Sequence, residues 1–257
     1  MLSKAKQKYI IQLHQKKFRE REGLFIAEGK KIVEEILLSE IPIQVLYASE
    51  DFLLEHQQLI SDKKTISEPI TQEELRKISS LKEPDDALAV CKIPQPELII
   101  PDKMNHLILY LDEIRDPGNM GTIIRICDWF NVPMIICSTG TVDVYNSKTI
   151  QASMGSFIRV PVFYKSLNDT IELFRKKPET EIPMVYGAYA DSNNIYKKNN
   201  FLPGLLVIGN EANGISHANE SLINEKISIP KFKNDGPESL NAAVAASLII
   251  GEFTRRK

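Results

Sequence analysis

The chain has 257 residues with a net charge of −2, which argues against a uniformly basic nucleic-acid-binding protein. No apolar stretch approaches the about 20 residues that span a bilayer, and the amino terminus lacks the apolar core of a signal peptide. We therefore expect a cytoplasmic protein without membrane contacts, and the length suits two domains.

Positive charge concentrates at the start of the chain. Residues 1–31 hold nine Lys or Arg and three Glu, a local balance of +6. Ser3 is predicted to cap a helix that runs to Lys17. Charge alone leaves two interpretations open: contacts with the phosphates of a polyanion, or a solvated helix face.

The first third of the chain predicts a small α/β domain. A stripe of Ile32, Val33, Ile36 and Leu37 indicates a core-facing helix, and Thr71 with Glu74 matches a capping box. We predict strands at 24–27, 43–48 and 87–91, and a helix at 50–58. Closely spaced prolines then indicate a linker. We predict a first domain at 1–93, a linker at 94–103 and a second domain at 104–257.

Strands and helices alternate through the second domain. The continuous apolar run at 106–111 indicates a strand buried on both faces, as in a parallel sheet. Further strands are predicted at 132–137, 160–164, 184–190, from Leu205 and around Ile227. Helices are predicted at 119–130, 147–157, 167–176 and after Asn241. The predicted fold class is α/β with a mostly parallel sheet.

Three loops follow strands of this sheet, and such loops hold the ligand in open α/β sheets. In the first, Asp116-Pro117-Gly118 has strong turn chemistry and Asn119 is expected at or near a helix N-cap. Arg125 lies six residues further on. Periodicity alone favours an ordinary helix cap and a surface arginine over a functional role for these two residues.

The second and third loops carry glycines and polar side chains. Gly209 and Gly214 permit close approach of the backbone to a ligand, and Glu211 follows an apolar strand directly. In the third loop, Ser239 or Asn241 could cap the last helix. The small residues of that helix indicate close packing inside the core or against a second subunit.

Together these segments resemble the SpoU (TrmH) family of RNA 2′-O-ribose methyltransferases. The stretch 17–29 resembles the family's amino-terminal substrate-binding domain, which has an L30e-like fold. Residues 116–125 resemble its first motif, 208–215 its second, and 229–230 with 239–241 its third.

The resemblance implies a knotted SPOUT domain that binds S-adenosylmethionine, an RNA substrate and a homodimer formed through the catalytic domain. Ribosomal RNA is expected before transfer RNA, and no metal is expected. The implied catalytic positions are Arg125, Asn119, Glu211, Ser239 and Asn241. The implied donor contacts are Gly209, Ile229, Leu240, Asn210 and Gly214. The residues assigned to RNA are Lys16, Lys17, Arg19, Arg21 and Arg115.

Arg125 is the key residue of the implied chemistry, because a guanidinium can hold a phosphate and stabilise a developing alkoxide. A guanidinium is a poor general base, so a phosphate, a water or a specially placed guanidinium all remain open as the base. The third motif departs from the family pattern, since its loop is longer and Lys231 stands where methionine is usual. This departure keeps a non-catalytic RNA-binding protein as an alternative. A nucleotide-dependent oxidoreductase or kinase-like protein is disfavoured by the missing phosphate-loop patterns.

Overall fold

The computed structural model describes residues 2–101, 104–177, 182–198, 200–233, 235 and 237–255. These residues form two compact units. The first contains the chain up to Pro96 together with Asp143–Ile158, and the second contains Glu97–Val142 and the chain from Arg159 onward. The predicted linker 94–103 includes Asp102 and Lys103, which lie outside the described residues.

The strands and helices follow in chain order. The strands are β1 Leu24–Glu28, β2 Ile43–Ala48, β3 Ser67–Pro69, β4 Ala87–Lys92, β5 Ile108–Leu111, β6 Ile135–Cys137, β7 Val162–Tyr164, β8 Met184–Tyr189, β9 Asn193–Asn194, β10 Gly204–Ile208 and β11 Glu225–Ser228. The helices are α1 Lys4–Gln12, α2 Lys16–Glu22, α3 Lys30–Leu37, α4 Glu50–Glu55, α5 Gln57–Asp62, α6 Gln72–Ile78, α7 Pro117–Trp129, α8 Ser147–Ser153, α9 Leu167–Arg175, α10 His217–Glu220 and α11 Ala242–Arg255.

The first unit is built on a four-stranded sheet in the order β1-β4-β2-β3. Strand β4 is antiparallel to β1 and β2, while β3 is parallel to β2. All of β1 and nearly all of β4 are buried, which agrees with their apolar sequences. The predicted capping box is confirmed, because Thr71 and Glu74 bond each other's backbone N–H groups at the start of α6.

Residues 143–158 pack in the first unit, although the sequence assigned them to the second domain. The ring of Phe25 lies 4.7 Å from that of Tyr145 and 5.9 Å from that of Phe157, between centroids. Gln151 Nε2 donates to the Glu28 carbonyl at 2.7 Å. Because these contacts span more than a hundred residues, no local pattern could predict them.

The second unit contains a parallel seven-stranded sheet in the order β7-β6-β5-β10-β8-β11-β9. Every pair in it is parallel, which confirms the predicted mostly parallel sheet. The strands at its centre, β5 and β10, are fully buried. Strands β6 and β7 lie on one side of β5, and the later strands β8 to β11 all lie on its other side. The strand order therefore reverses between β5 and β10.

Helices α7 and α11 pack against each other in this unit. Each presents a buried stripe, formed in α7 by Met120, Ile123, Ile124 and Cys127 and in α11 by Ala242, Ala243, Ala246, Ile249 and Ile250. The small α11 side chains permit the close packing that the sequence indicated. Within the described residues, no helix is both long and apolar enough to cross a membrane.

Several predicted helices are shorter than expected. The helix predicted to run to Lys17 ends at Gln12, and a second helix begins at Lys16. The helix predicted at 50–58 is interrupted at His56. The helix predicted at 147–157 ends at Ser153, because Met154 adopts a left-handed conformation with φ of 50°. Strands β3 and β9 were not predicted from the sequence.

Candidate active site

The carboxyl ends of four neighbouring strands meet at one edge of the seven-stranded sheet. Strands β5, β10, β8 and β11 are adjacent and parallel, so the loops that follow them emerge on the same side. The three loops selected from the sequence all begin here: 112–116 after β5, 209–216 after β10 and 229–241 after β11. The reversal of strand order between β5 and β10 is where open α/β sheets bind their ligands.

The N-cap of helix α7 is Asp116 rather than Asn119. Asp116 Oδ1 accepts a hydrogen bond from the Asn119 backbone N–H at 2.7 Å, and Pro117 occupies the first turn. Proline suits that position because its missing N–H would have no partner there. The prediction that Asn119 lies at or near the N-cap is therefore corrected by three residues. Its side chain is not used by its own helix and can bond elsewhere.

A chain of side-chain hydrogen bonds joins the three loops. Asn241 Nδ2 donates to Asn119 Oδ1 at 2.8 Å, and Asn119 Nδ2 donates to Glu211 Oε1. The direction is fixed at both ends, because a carboxylate only accepts and Asn241 Oδ1 accepts from two backbone N–H groups of α11. Three of the five side chains predicted for catalysis therefore meet at one place.

The second loop contains a tight turn that requires glycine. Asn210 and Gly214 exchange backbone hydrogen bonds of 2.9 and 2.8 Å, which close the turn that carries Glu211. A Cβ added at Gly209 would lie 2.2 Å from the Gly214 carbonyl carbon, closer than real Cβ atoms come. Gly214 itself has a left-handed φ of 68°. The two glycines thus fix the path of this loop.

Two further side chains brace the same loop. Asn210 Nδ2 donates to the Glu113 carbonyl at 2.8 Å, and its Oδ1 accepts from the Ala212 N–H at 2.9 Å. The sequence assigned Asn210 to the donor, whereas its side chain here holds the first two loops together. The buried Asp112 accepts from the Ser216 N–H at 2.8 Å. Asp112 was not among the predicted site residues, although it follows the buried strand β5 directly.

Arg125 and Ser239 lie outside this chain of hydrogen bonds. Both are exposed, and neither side chain bonds or ion-pairs with another group in the part of the chain that the structure describes. Helix geometry places Arg125 about 9 Å along α7 from Asn119 and about 120° around it. The structure therefore groups Asn119, Glu211 and Asn241, and leaves Arg125 and Ser239 open to an incoming molecule.

The predicted donor contacts combine apolar side chains with open backbone. Ile229 is half-buried after β11, and the Leu240 side chain is 45% exposed immediately before Asn241. At Gly214, an added Cβ would meet no atom within 4 Å. An aromatic ring system needs such apolar surface, and a cationic ligand would find the Glu211 carboxylate beside it. These residues fit a molecule that has both features.

One of the residues assigned to RNA is buried. The Arg19 side chain is 3% exposed, and Nε and Nη2 both bond Asp143, at 2.9 and 2.5 Å. Its Nη1 donates to the Leu13 and His14 carbonyls. The assignment of Arg19 to RNA is therefore corrected: its guanidinium is used inside the first unit. The other four assigned residues are exposed, namely Lys16, Lys17, Arg21 and Arg115.

The surroundings of the three cysteines disfavour their reactive form. Cys91, Cys127 and Cys137 are buried and free, and burial raises the pKa of each thiol. A raised pKa disfavours the thiolate, which is the reactive form. Over the same residues, no group of three or more His, Cys, Asp or Glu side chains is arranged to hold a metal ion.

Comparison with known families matches both parts of the chain. Residues 106–251 match the model of the SpoU rRNA Methylase family. Residues 4–89 match the model of the MRM3-like substrate binding domain. The first match contains all three loops, and the second contains the basic amino-terminal segment.

Individual relatives agree with these matches. The chain is 27% identical over 244 residues to the 23S rRNA (guanosine(2553)-2′-O)-methyltransferase RlmP of Bacillus subtilis, covering 93% of this chain and 91% of the relative. A solved TrmH-family structure from Porphyromonas gingivalis is 32% identical with a TM-score of 0.86 and covers 100% of both chains. The SpoU methyltransferase AviRb from Streptomyces viridochromogenes, solved in complex with the cofactor AdoMet, is 25% identical with a TM-score of 0.87 and covers 98% of both chains.

Proposed function

Because the chain belongs to the SpoU rRNA methylase family, we propose that it transfers a methyl group from S-adenosylmethionine (AdoMet) to a ribose 2′-hydroxyl of ribosomal RNA. The observation that carries this function is the Asn241–Asn119–Glu211 chain of hydrogen bonds at the carboxyl edge of a parallel sheet. The Bacillus subtilis relative is a 23S rRNA methyltransferase, which favours ribosomal over transfer RNA as the substrate here. A ribosomal RNA substrate in turn favours the cytoplasm as the location.

The donor is assigned to loops 209–216 and 229–241. Ile229 and Leu240 supply apolar surface for the adenine, and the open backbone at Gly214 allows a ligand to approach closely. When bound, AdoMet supplies an electrophilic methyl group attached to a positively charged sulfur. The Glu211 carboxylate complements that charge, and its bond to Asn119 holds it in a fixed orientation.

The ribose hydroxyl is a weak nucleophile and must lose its proton as its oxygen takes the methyl group. The Arg125 guanidinium is exposed and positively charged. We therefore assign it two roles: binding the phosphate beside the target ribose and stabilising the developing alkoxide. Asn119, Ser239 and Asn241 orient the ribose against the donor. Holding two reactants in line can supply a large part of the rate enhancement.

The basic amino-terminal segment is assigned to the RNA backbone. Lys16 and Lys17 are exposed, and Lys17 and Arg21 both lie within 5 Å of the Phe18 ring centroid. Cations beside an aromatic ring suit a nucleic acid, because the cations can contact its phosphates and the ring can stack on its bases. Arg115 is assigned to RNA near the site, although it also pairs with Glu113 at 2.7 Å.

We further propose a homodimer formed through the second unit. Helices α7 and α11 pack on each other, and each also exposes apolar side chains. Trp129 is 84% exposed on α7, and Val244 and Leu248 are both exposed one turn apart on α11. Arg125 lies four residues before Trp129 and so shares its helix face. A dimer that buries this face would place Arg125 close to the partner subunit.

The test is methyl transfer from labelled AdoMet to unmodified ribosomal RNA and, separately, to transfer RNA. Digestion to nucleosides should give a 2′-O-methylated nucleoside from ribosomal RNA. The Asn119→Ala variant should lose most of this transfer, whereas Asn168→Ala, an exposed asparagine on α9, should retain it. Label on a base, or binding of RNA without transfer, would contradict the proposal, and the latter result would indicate the non-catalytic alternative.

A further inference from the structure

Phe232 is the most exposed of the large apolar side chains described, at 93%. Single apolar residues on a protein surface are ordinary, so exposure alone carries little weight. The position of Phe232 is what distinguishes it. It lies in the third loop, between Pro230 after β11 and Asn241 in the hydrogen-bonded chain.

The geometry of the sheet places this side chain on the same side as the site. Strand β11 is parallel to β8, so its carboxyl end lies at the edge from which the loops after β5 and β10 emerge. Phe232 follows the last residue of β11, Ser228, by four positions. A chain of four residues reaches at most about 14 Å, which keeps the ring near this edge.

The neighbours of Phe232 carry positive charge. Lys231 and Lys233 flank it directly and are both exposed, while the acidic side chains of the loop, Asp235 and Glu238, come later. An exposed aromatic residue with a lysine on either side of it in the chain matches the chemistry of a nucleic acid, in which phosphates alternate with flat bases along the strand. Aromatic rings stack on bases of any sequence, and lysines beside them contact the phosphates.

Resting on the proposed function, we infer that Phe232 stacks on a nucleobase of the RNA substrate at or beside the methylated nucleotide. The longer third loop, which the sequence presents as a departure from the family pattern, then has a use: it extends an aromatic contact toward the substrate. The ring acts on binding and orientation of the RNA and takes no part in the chemical step.

The experiment compares two substitutions that separate stacking from simple burial of apolar surface. Phe232→Leu keeps an apolar side chain without a π face, and Phe232→Trp keeps the π face. With unmethylated ribosomal RNA, Phe232→Leu should raise KM for RNA by about 5- to 100-fold and leave KM for AdoMet unchanged. Phe232→Trp should stay close to the unchanged protein, and RNA should quench its additional indole fluorescence.

A matched control is available at the opposite edge of the sheet. Leu202 is 59% exposed shortly before β10 begins, and Leu202→Ala should change neither KM. Three results would overturn the inference: a raised KM for AdoMet in Phe232→Leu, which would make the ring a cover for the donor; a changed oligomeric state, which would make it an interface residue; or unchanged kinetics in Phe232→Leu. The proposed function fails separately, if the unsubstituted protein methylates no RNA.

Discussion

At the scale of single residues, Arg125 is the side chain on which the proposed chemistry depends most. It is exposed and stands apart from the hydrogen bonds that join Asn119, Glu211 and Asn241. Arg125→Ala should therefore lower methyl transfer by at least about 100-fold, the effect typical of losing one charge-stabilising group. AdoMet affinity, measured by calorimetry, should stay within about twofold because the donor loops are untouched.

Arg175→Ala provides the control for this change. Arg175 is also an exposed arginine of the second unit, but it lies at the end of α9 and pairs with Glu172. Removing it should leave transfer unchanged. Near-normal turnover by Arg125→Ala would remove Arg125 from the mechanism and leave the alkoxide to another group.

Gly209 tests the shape of the donor loop. In Gly209→Ala the new Cβ would overlap the Gly214 backbone, so the turn that carries Glu211 must shift. We expect AdoMet affinity to fall more than tenfold and the free energy of unfolding to fall by about 1–3 kcal/mol. Calorimetry and urea unfolding measure the two effects.

Gly251→Ala is the matched glycine substitution. An added Cβ there would meet its nearest atom, in the Phe130 ring, at an ordinary 3.6 Å. Because Gly251 lies inside α11, alanine should stabilise the protein by about 0.5–1 kcal/mol and leave AdoMet affinity unchanged. Equal AdoMet affinity in Gly209→Ala and Gly251→Ala would show that the tight turn has no part in binding the donor.

Arg19 and Lys17 separate structural from functional basic residues. Arg19 is buried against Asp143, so Arg19→Ala should lower the free energy of unfolding by about 3–5 kcal/mol. Lys17 is exposed, so Lys17→Ala should change the free energy of unfolding by no more than about 0.5 kcal/mol. The substitution should also remove about one phosphate contact and so weaken the salt dependence of RNA binding. A stable Arg19→Ala protein with weakened RNA binding would restore the original assignment of Arg19 to RNA.

At the scale of elements, the sequence predicted those features that depend on neighbouring residues. The apolar runs predicted β2 with its observed bounds, and they predicted the central strands β5 and β10 to within a few residues. The capping box predicted the start of α6. The break between α1 and α2 could not be found in this way. The Leu13 and His14 carbonyls at that break accept from Arg19, and the His14 ring bonds the Ile78 carbonyl. These partners hold the chain out of the helix that its local sequence favours.

The capping box of α6 makes stability depend on pH. The backbone N–H groups of Thr71 and Leu2 donate to Glu74 and hold the pKa of its carboxyl below the ordinary value. A lowered folded-state pKa adds stability that is fully present above the unfolded pKa and is lost as the pH falls through the folded pKa. Glu74→Gln should therefore lower stability by a constant amount above about pH 5, and this difference should shrink at lower pH.

Urea unfolding at several pH values, followed by circular dichroism, measures this difference. Trp129, the single tryptophan of the chain, lies in the second unit, so circular dichroism rather than its fluorescence is the signal to follow for the first unit. A difference that grows as the pH falls would contradict the assignment of the lowered pKa to these hydrogen bonds.

At the scale of the whole molecule, the parallel sheet and the three motifs were predictable from the sequence, and the division of the chain into two units was only partly so. The alternation of strands and helices gave the parallel sheet, and the motifs identified the loops that carry Asn119, Glu211 and Asn241. Residues 143–158 join the first unit through contacts with Phe25 and Glu28 that no local pattern reveals. The trefoil knot that the family resemblance implies stays a prediction.

We propose that three loops, distant in sequence, form one site for methylating a ribose of ribosomal RNA. The most direct measurement is a map of 2′-O-methyl groups in ribosomal RNA from a strain lacking this protein and from its parent. We expect at least one ribose that is methylated only in the parent, with methylation restored by the unsubstituted gene and not by Arg125→Ala. Identical maps from the two strains would contradict it.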